Sequence, residues 1–407
     1  MAKMKCIEGK YCTGCGACAA ICPCNAIIMN SDELGFKYPH INKDKCAECD
    51  VCQKICPAIN SKPFMQVDDF SATTYAAWSK DKKLQKNSSS GGIFGEMAEY
   101  ILKDNGIVFG AAFNSGMELQ HIAVKSLEEL PRILGSKYLQ SDINDSYLSV
   151  KQYLSENKKV LFSGTACQVA GLYAFLGSRN NPNLFTVDIL CHGVPSPEIF
   201  RQHLLYIENK YFNGEKAKEY FFRNKTLGWK NYCTLAKSSN YKYRKLFYED
   251  YFMHGFLKNY YLRESCYHCQ YAKKQRIADI TLGDFWGYEQ HDYKKFNHDR
   301  GASLIIVSSM QGKLIFDAIK EHIWSQEVSI EDCVKYNPIL TSPSNIPVER
   351  DKILTAFSQA GWVNAIKFFK LPPRTVAVKA LCCGGRFIYS FFSEILPWLK
   401  CRLTGKH

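Results

Sequence analysis

Two matched runs of four cysteines near the amino terminus constrain this chain more than any other feature. They read Cys12-x-x-Cys15-x-x-Cys18-x-x-x-Cys22-Pro23 and Cys46-x-x-Cys49-x-x-Cys52-x-x-x-Cys56-Pro57, each second member 34 residues after its counterpart. A constant offset across four ligand-type residues marks an internal duplication. Three closely spaced thiolates on one loop can grip three irons of a cubane, and the fourth cysteine crosses to the other cluster in two-cluster ferredoxins. The spacing therefore assigns Cys12, Cys15, Cys18 and Cys56 to one 4Fe–4S cluster, and Cys46, Cys49, Cys52 and Cys22 to a second. Gly14 and Gly16 keep side chains away from the first, so backbone amides can reach its sulfurs. Paired Cys-x-x-Cys spacings also build zinc ribbons. Zinc, however, leaves the third cysteine of each run and both Cys-Pro positions unexplained. The expected module, residues 1–62, is a small duplicated β/α unit of the bacterial two-cluster ferredoxin type. Cys6 and Cys24 are surplus and are expected to be structural.

The remaining chain is long enough for a large domain. Of 407 residues, 46% are apolar and 14% aromatic, so a packed core needs no disulfides. The start carries no apolar stretch of the secretory kind, so a cytoplasmic, reducing setting is expected, in which 19 cysteines are metal ligands and core residues. The formal charge of +13 concentrates in residues 205–300, with eighteen Lys/Arg against eleven Asp/Glu. Most of it reads as solvated surface; the sharper reading is a face for anionic partners. Nucleic acid is not expected, because no zinc-finger, RNP-type or basic-zipper pattern is present.

After a linker at 61–71, residues 72–345 read as a layered α/β body. Thr74–Trp78 is an expected strand, 80–87 a loop, and Ser90-Gly91-Gly92 opens a helix to about Lys103. Ile107–Phe113 is a buried strand. Lys159–Phe162 is another, followed by a tight turn at Ser163-Gly164-Thr165 and a helix over Ala166–Leu176. Leu184–Leu190 is a further strand, and Ser196-Pro197 starts a helix to Tyr211. Repeated strand–turn–helix units place ligands at the carboxyl ends of strands. Ser90-Gly91-Gly92 and Gly164-Thr165 offer free amides of the kind that hold phosphate, although ordinary helix capping explains such pairs equally well. Cys266-Tyr267-His268-Cys269 is half of a metal site or a redox dithiol. With Cys167 and Cys191, each just past an expected strand end, it would complete a third 4Fe–4S cluster; the alternative is that Cys167 and Cys191 are buried small hydrophobes. His192 either donates a proton near a flavin or satisfies a backbone carbonyl. Residues 346–407 are expected to form a helical, basic and aromatic tail. Its stretch Arg386–Leu403 is too short and broken to span a bilayer, leaving docking on the body or a peripheral membrane contact.

These motifs together resemble the family of coenzyme F-420 hydrogenase/dehydrogenase beta subunits, in versions with a two-cluster module in front. The likeness rests on the doubled cysteine run, Ser-Ser-Gly-Gly at 89–92, Gly-Ser-Lys-Tyr at 135–138 and Gly-Thr-Ala-Cys-Gln at 164–168. It continues through Asp-Ile-Leu-Cys-His-Gly-Val-Pro-Ser-Pro at 188–197, Ser-Cys-Tyr-His-Cys at 265–269 and Ala-Asp-Ile-Thr-Leu-Gly-Asp-Phe-Trp-Gly at 278–287. Ala166 stands where many relatives have proline. The resemblance implies an FAD-bearing body whose flavin exchanges a hydride with a small organic partner: the deazaflavin coenzyme in archaeal relatives, a tetrapyrrole in a plant relative. It implies FAD held by Ser90, Gly91, Gly92, Gly164, Thr165 and Gln168, with Lys137 near its anionic part and His192 as the catalytic candidate. Bacterial members often accompany surface-polysaccharide genes. The expected partner is ferredoxin or another redox protein, and the expected enzyme is an iron–sulfur, FAD-dependent oxidoreductase. The competing expectation is a non-catalytic subunit that links a ferredoxin pool to a partner enzyme.

Overall fold

The computed structural model describes residues 10–60, 70–287 and 300–371. The stretch Arg386–Leu403, with its membrane reading, lies outside the described residues, as do Cys6, Cys382, Cys383 and Cys401. No described helix is long and apolar enough to cross a membrane.

In the amino-terminal part, β1 (Ile27–Ser31) pairs antiparallel with β2 (Lys37–Ile41), flanked by short helices at Ala17–Ile21 and Val51–Lys54. Both helices follow a residue held at positive φ, Gly16 and Asp50. Each helix begins within its cysteine triplet, so the duplication in sequence is a duplication in structure.

The body is built on one mixed sheet of eight strands. These are β3 (Thr73–Ser79), β4 (Ile107–Phe113), β5 (Leu119–Val124), β6 (Val160–Thr165), β7 (Leu184–Ile189), β11 (Ile280–Asp284), β12 (Ser303–Val307) and β13 (Ile323–Glu327), in the spatial order β13-β3-β12-β11-β7-β6-β4-β5. Neighbours β11, β7, β6 and β4 run parallel, and the outer strands are antiparallel. Val108, Leu161, Val187, Ile280 and Ile305 are all buried in one core with Ile93, Met97 and Ile101 of the helix Ile93–Lys103. Continuous apolar strands of this type belong in a sheet covered on both faces. A small antiparallel sheet, β8 (Glu219–Asn224), β9 (Cys233–Lys237) and β10 (Lys242–Leu246), stands beside it. That sheet packs into an aromatic core with Phe200, Phe252, Tyr261 and Trp362. Because Ile353, Phe357, Trp362 and Phe369 share this core, the body's packing extends well past residue 345.

Three local expectations are corrected. Residues Lys82–Asn87 form a helix rather than a loop, because the Asp81 carboxylate accepts from the amides of Lys83 and Leu84 and caps it. The helix after Ser90 starts at Ile93, with Gly92 left-handed before it. Ser163, Gly164 and Thr165 are not a turn. They pair with Val187, Asp188 and Ile189 as the last residues of β6, and the helix Ala166–Leu176 starts without an intervening loop. The helix Pro197–Tyr211 begins as its Ser-Pro signal predicts, with Ser196 Oγ accepting from the Ile199 amide.

Candidate functional site

Strands β6, β7 and β11 deliver their carboxyl ends to one edge of the sheet, and the chemistry-bearing residues follow them. Cys167 comes two residues after β6, Cys191 two residues after β7, and the short 3-10 turn Glu264–His268 brings Cys266 and then Cys269 to the same place. All four line one cavity of about 250 Å³, together with His192 and Tyr271. Burial raises each thiol's pKa, and neighbouring thiolates add a smaller push on Cys167, from Cys191 and Cys269, and on Cys191, from Cys266 and Cys269. Cys266 is pushed up to about 12. Backbone closes tightly around the group. Gly193 has φ +138°, and a Cβ there would lie 2.8 Å from Leu262 Cδ1 and 3.3 Å from Cys266 Cβ. The next amide, of Val194, donates to Cys266 Sγ at 3.4 Å. Four desolvated thiols facing each other are stable as thiolates only when cations sit among them, and an amide aimed at sulfur suits a cluster ligand.

The duplicated cysteines fall into two groups, and the fourth member of each run crosses over. Cys15 feels Cys56 and Cys12, while Cys52 feels Cys22 and Cys49. Cys22, Cys46, Cys49 and Cys52 line a shared depression whose rim includes Cys24 and Asp50. Cys24 is exposed there rather than packed in a core. Among the described residues no three His, Cys, Asp or Glu side chains converge closely enough to hold a single metal ion. Cys49 is exposed, and Cys15 is the thiol of the first group most affected by burial, pushed up to about 12.

The first group abuts the body. Cys15 lies on Gly171 of the helix that carries Cys167: a Cβ on Gly171 would sit 3.0 Å from Cys15 Cβ, 3.1 Å from Cys15 Sγ and 2.6 Å from Tyr147 Oη. Gln140 Nε2 donates to Thr13 O at 2.8 Å, and Gln270 Nε2 to Pro57 O at 3.0 Å.

A second cluster of functional residues gathers at the Ser-Gly turn. Ser90 Oγ donates to Ala302 O at 2.6 Å, and the Gly91 amide donates to Ser303 Oγ at 2.9 Å. Gly91 has no room for a side chain, since a Cβ would lie 2.5 Å from Ala77 O. The Ser136 amide donates to Ser89 Oγ at 2.6 Å and brings in the Gly135–Tyr138 turn. Lys137 Nζ donates to Leu134 O and Gly135 O. Lys225, from beyond β8, donates to Gln85 O, Ser90 O and Arg300 O. Desolvation pulls both lysines down to about 7. Beside them Arg223 of β8 pairs with Asp284 at the end of β11, and its Nε and Nη2 are buried without a hydrogen-bond partner among the described residues. Sequence reasoning missed Lys225 and Arg223; the aromatic run Tyr220-Phe221-Phe222 favours a strand, but apolar Phe221 at an exposed position hides the alternation of β8.

Family models match three stretches of the chain. "4Fe-4S dicluster domain" covers residues 11–59; "Coenzyme F420 hydrogenase/dehydrogenase, beta subunit N-term" covers 74–146, and the beta subunit "C terminus" model covers 157–332. The chain belongs to the family of coenzyme F420 hydrogenase/dehydrogenase beta subunits. Among curated proteins, this beta-subunit chain is 22% identical over 197 residues to one subunit of the F(420)H(2) dehydrogenase of Methanosarcina mazei, covering 46% of this chain and 54% of that one. It is 25% identical over 198 residues to an uncharacterised protein of Methanocaldococcus jannaschii, covering 42% and 54%. The chain thus spans about half the length of the curated relatives it matches. A chain of the F420-reducing NiFe hydrogenase complex from Methanosarcina barkeri gives a TM-score of 0.43 at 16% identity, over 71% of this chain and 93% of that chain.

The beta-subunit chain separates the residues expected to hold flavin into two places. Ser90, Gly91, Gly92 and Lys137 gather at the Ser-Gly turn. Thr165 and Gln168 line the four-cysteine cavity instead, with Thr165 Oγ1 3.0 Å from Cys167 Sγ. Gln168 is engaged internally: its Oε1 accepts from the Thr165 amide, and its Nε2 donates to Ser141. Gly164, in β6, would bring a Cβ to 3.2 Å from Gln168 Oε1. His192 also faces this cavity; burial lowers its pKa, against a smaller opposing pull from the Asn259 side chain and the Phe256 backbone.

One buried histidine supports this end of β6. His121 Nε2 donates to Ser163 O, and its Nδ1 accepts from Ser141 Oγ, both at 2.8 Å. Burial drives its pKa to about 4. The folded pKa is depressed, so the stabilisation is complete above the unfolded value near 6.5 and is lost as pH falls towards 4. Denaturation of the wild type between pH 7 and 4 should show a loss of roughly 3 kcal/mol from this residue. The H121N variant should lack that part of the slope.

Proposed function

We propose that the chain is an iron–sulfur flavoprotein oxidoreductase subunit that passes electrons between its amino-terminal clusters and FAD, which exchanges a hydride with a small organic molecule. The observation that carries this reading is the single cavity formed by Cys167, Cys191, Cys266 and Cys269, with the Cys15 loop pressed against the same helix as Cys167. These four cysteines would hold a third 4Fe–4S cluster between the amino-terminal module and the flavin. The second group, whose Cys49 is exposed, would be the entry side for a one-electron carrier protein.

For FAD, the fit rests on Lys137 and Lys225. Both lysines are half-buried, and their hydrogen bonds go to backbone carbonyls, a setting that favours an added anion such as a diphosphate. Ser90, Gly91 and Gly92 would line the same group. When bound, FAD supplies the exchange between one-electron clusters and a two-electron hydride. Arg223, held by Asp284, keeps two donors free for a polar edge, and neutral His192 can hold or give a proton at Nε2 beside the cysteines.

Binding an anion restores the charge of lysines whose pKa is near 7, so binding takes up protons. FAD affinity of the apoprotein should therefore fall as pH rises above 7, by about tenfold per unit for each proton taken up. Calorimetry in buffers of different ionisation heat measures that proton count directly. In K137M the pH dependence should shrink.

The test of the whole reading is to mix reduced ferredoxin with the FAD-loaded protein and follow flavin absorbance. Bleaching supports it; an unreduced flavin beside reduced clusters contradicts it. A relay role without a substrate of its own is favoured by the Methanosarcina mazei relative, which is one subunit of a dehydrogenase. It would show as flavin reduction with no hydride acceptor found.

A further inference from the structure

Arg263 stands three residues before Cys266 and is 1% exposed. Its side chain leaves the body and enters the amino-terminal module. Nε donates to Cys12 O at 2.8 Å, Nη2 to Lys37 O at 3.0 Å, and Nη1 to Gln140 Oε1 at 2.9 Å. The guanidinium also lies 4.1 Å from the centre of the Tyr38 ring. Arg263 belongs to the four-cysteine site as well: it lines that cavity, its charge acts on the Cys266 thiol, its amide donates to Val194 O, and its carbonyl accepts from the Cys266 amide, both at 2.9 Å. One residue thus connects a cysteine of the first amino-terminal group to a cysteine of the body group.

The setting of this charge is unusual. Among the described residues no carboxylate forms an ion pair with Arg263, and its hydrogen-bond acceptors are two carbonyls and one amide oxygen. A buried cation with only neutral partners is costly unless an anion lies close by. A 4Fe–4S cluster held by four thiolates is such an anion. The loop is also moulded to the fork: Gly14 has φ +65°, and a Cβ there would lie 2.9 Å from Arg263 Nη1 and 2.7 Å from Gln140 Nε2.

We propose that Arg263 is a positioning residue that poises the cluster at Cys12, Cys15, Cys18 and Cys56 and fixes its distance from the body cysteines. This rests on the cluster reading above. A fixed positive charge beside a cluster favours its reduced, more negative state and so raises its potential. The planar fork, satisfied in three directions at once, sets the spacing in a way a single ammonium does not.

The test is an EPR-monitored redox titration of the anaerobically loaded full chain, wild type against R263Q and R263K. In R263Q the potential of the Cys12 cluster should fall, while that of the cluster at Cys22, Cys46, Cys49 and Cys52 stays in place. In R263K the potential should return, but electron arrival at the body should slow about tenfold, because lysine keeps the charge and loses the fork. If R263Q fails to hold iron, R263K decides, and wild-type behaviour in both readouts would overturn the proposal. So would an unmoved Cys12-cluster potential in iron-replete R263Q, or an equal shift of both clusters. A wild-type protein that lacks the iron of two clusters would instead overturn the cluster reading, and this inference with it.

Discussion

Serine at Cys266 should remove about four irons per chain and stop electrons reaching the flavin, while both amino-terminal clusters stay intact. Cys266 shares its cavity with Cys167, Cys191 and Cys269, and its sulfur accepts the Val194 amide. Serine offers a harder, poorer ligand for iron and leaves three buried thiols whose ionisation burial already opposes. Cys266 packs against the edge of the aromatic core around Phe252 and Tyr261, and serine, close to it in size, should leave that core folded. Iron analysis and EPR of the reduced protein check the first part, and flavin reduction by ferredoxin the second. C233S is the control. Cys233 is fully buried in β9 and is not among the cavity's lining residues, so its substitution should leave iron content unchanged. Equal iron loss in both variants would mean the cysteines share a general fragility rather than a cluster.

Alanine at Gly171 should destabilise the protein, against what its place in a helix suggests. In a helix interior, glycine to alanine ordinarily gains about 1 kcal/mol. Here the added Cβ would sit 2.6 Å from Tyr147 Oη and 3.0 Å from Cys15 Cβ. Neither neighbour yields easily. Tyr147 is fully buried and donates to Gln168 O at 2.7 Å, and Cys15 belongs to a loop tied to the body through Gln140 and Thr13. Overpacking of this kind costs about 1–3 kcal/mol, so the net change should be a loss. The easiest relief is for the Cys15 loop to lift from the helix, which lengthens the path from the first cluster to Cys167. Thermal unfolding should report the loss of stability, and rapid-mixing kinetics should report slower flavin reduction with the iron count unchanged. A G171A protein that is more stable and equally fast would show that the loop does not need this close approach.

How much of this was legible in the sequence depends on the distance over which the information acts. The cysteine runs are local and periodic, and the structure brings Cys15 near Cys56 and Cys12, and Cys52 near Cys22 and Cys49. Ile107–Phe113 and the Ser196-Pro197 helix start were readable because an apolar run and a cap each act within one element. Ser163-Gly164-Thr165 misled because small polar residues look like a turn in isolation; pairing with β7, set by a distant segment, keeps them extended. The Asp81 cap was missed because the helix it starts is short and mostly polar, with Leu84 and Gln85 its buried residues. The two chemical sites show the same contrast. Cys167 and Cys191 could be brought together from their places after strands, since parallel strands share an edge, and the Cys266–Cys269 pair was joined to them by its ligand spacing. Lys225 and Arg263 could not. Lys225 reaches Ser90 across 135 residues, and Arg263 reaches Cys12 across 251. Nothing in the local sequence distinguishes either from the many basic residues around it, most of which are solvated.

We propose that this chain carries three iron–sulfur centres and one flavin in one path. The most direct test is anaerobic purification followed by iron, sulfide and flavin counts per chain. About twelve irons with matching sulfide and one FAD are expected. Iron for the amino-terminal clusters with no flavin, or zinc in place of iron, would contradict it.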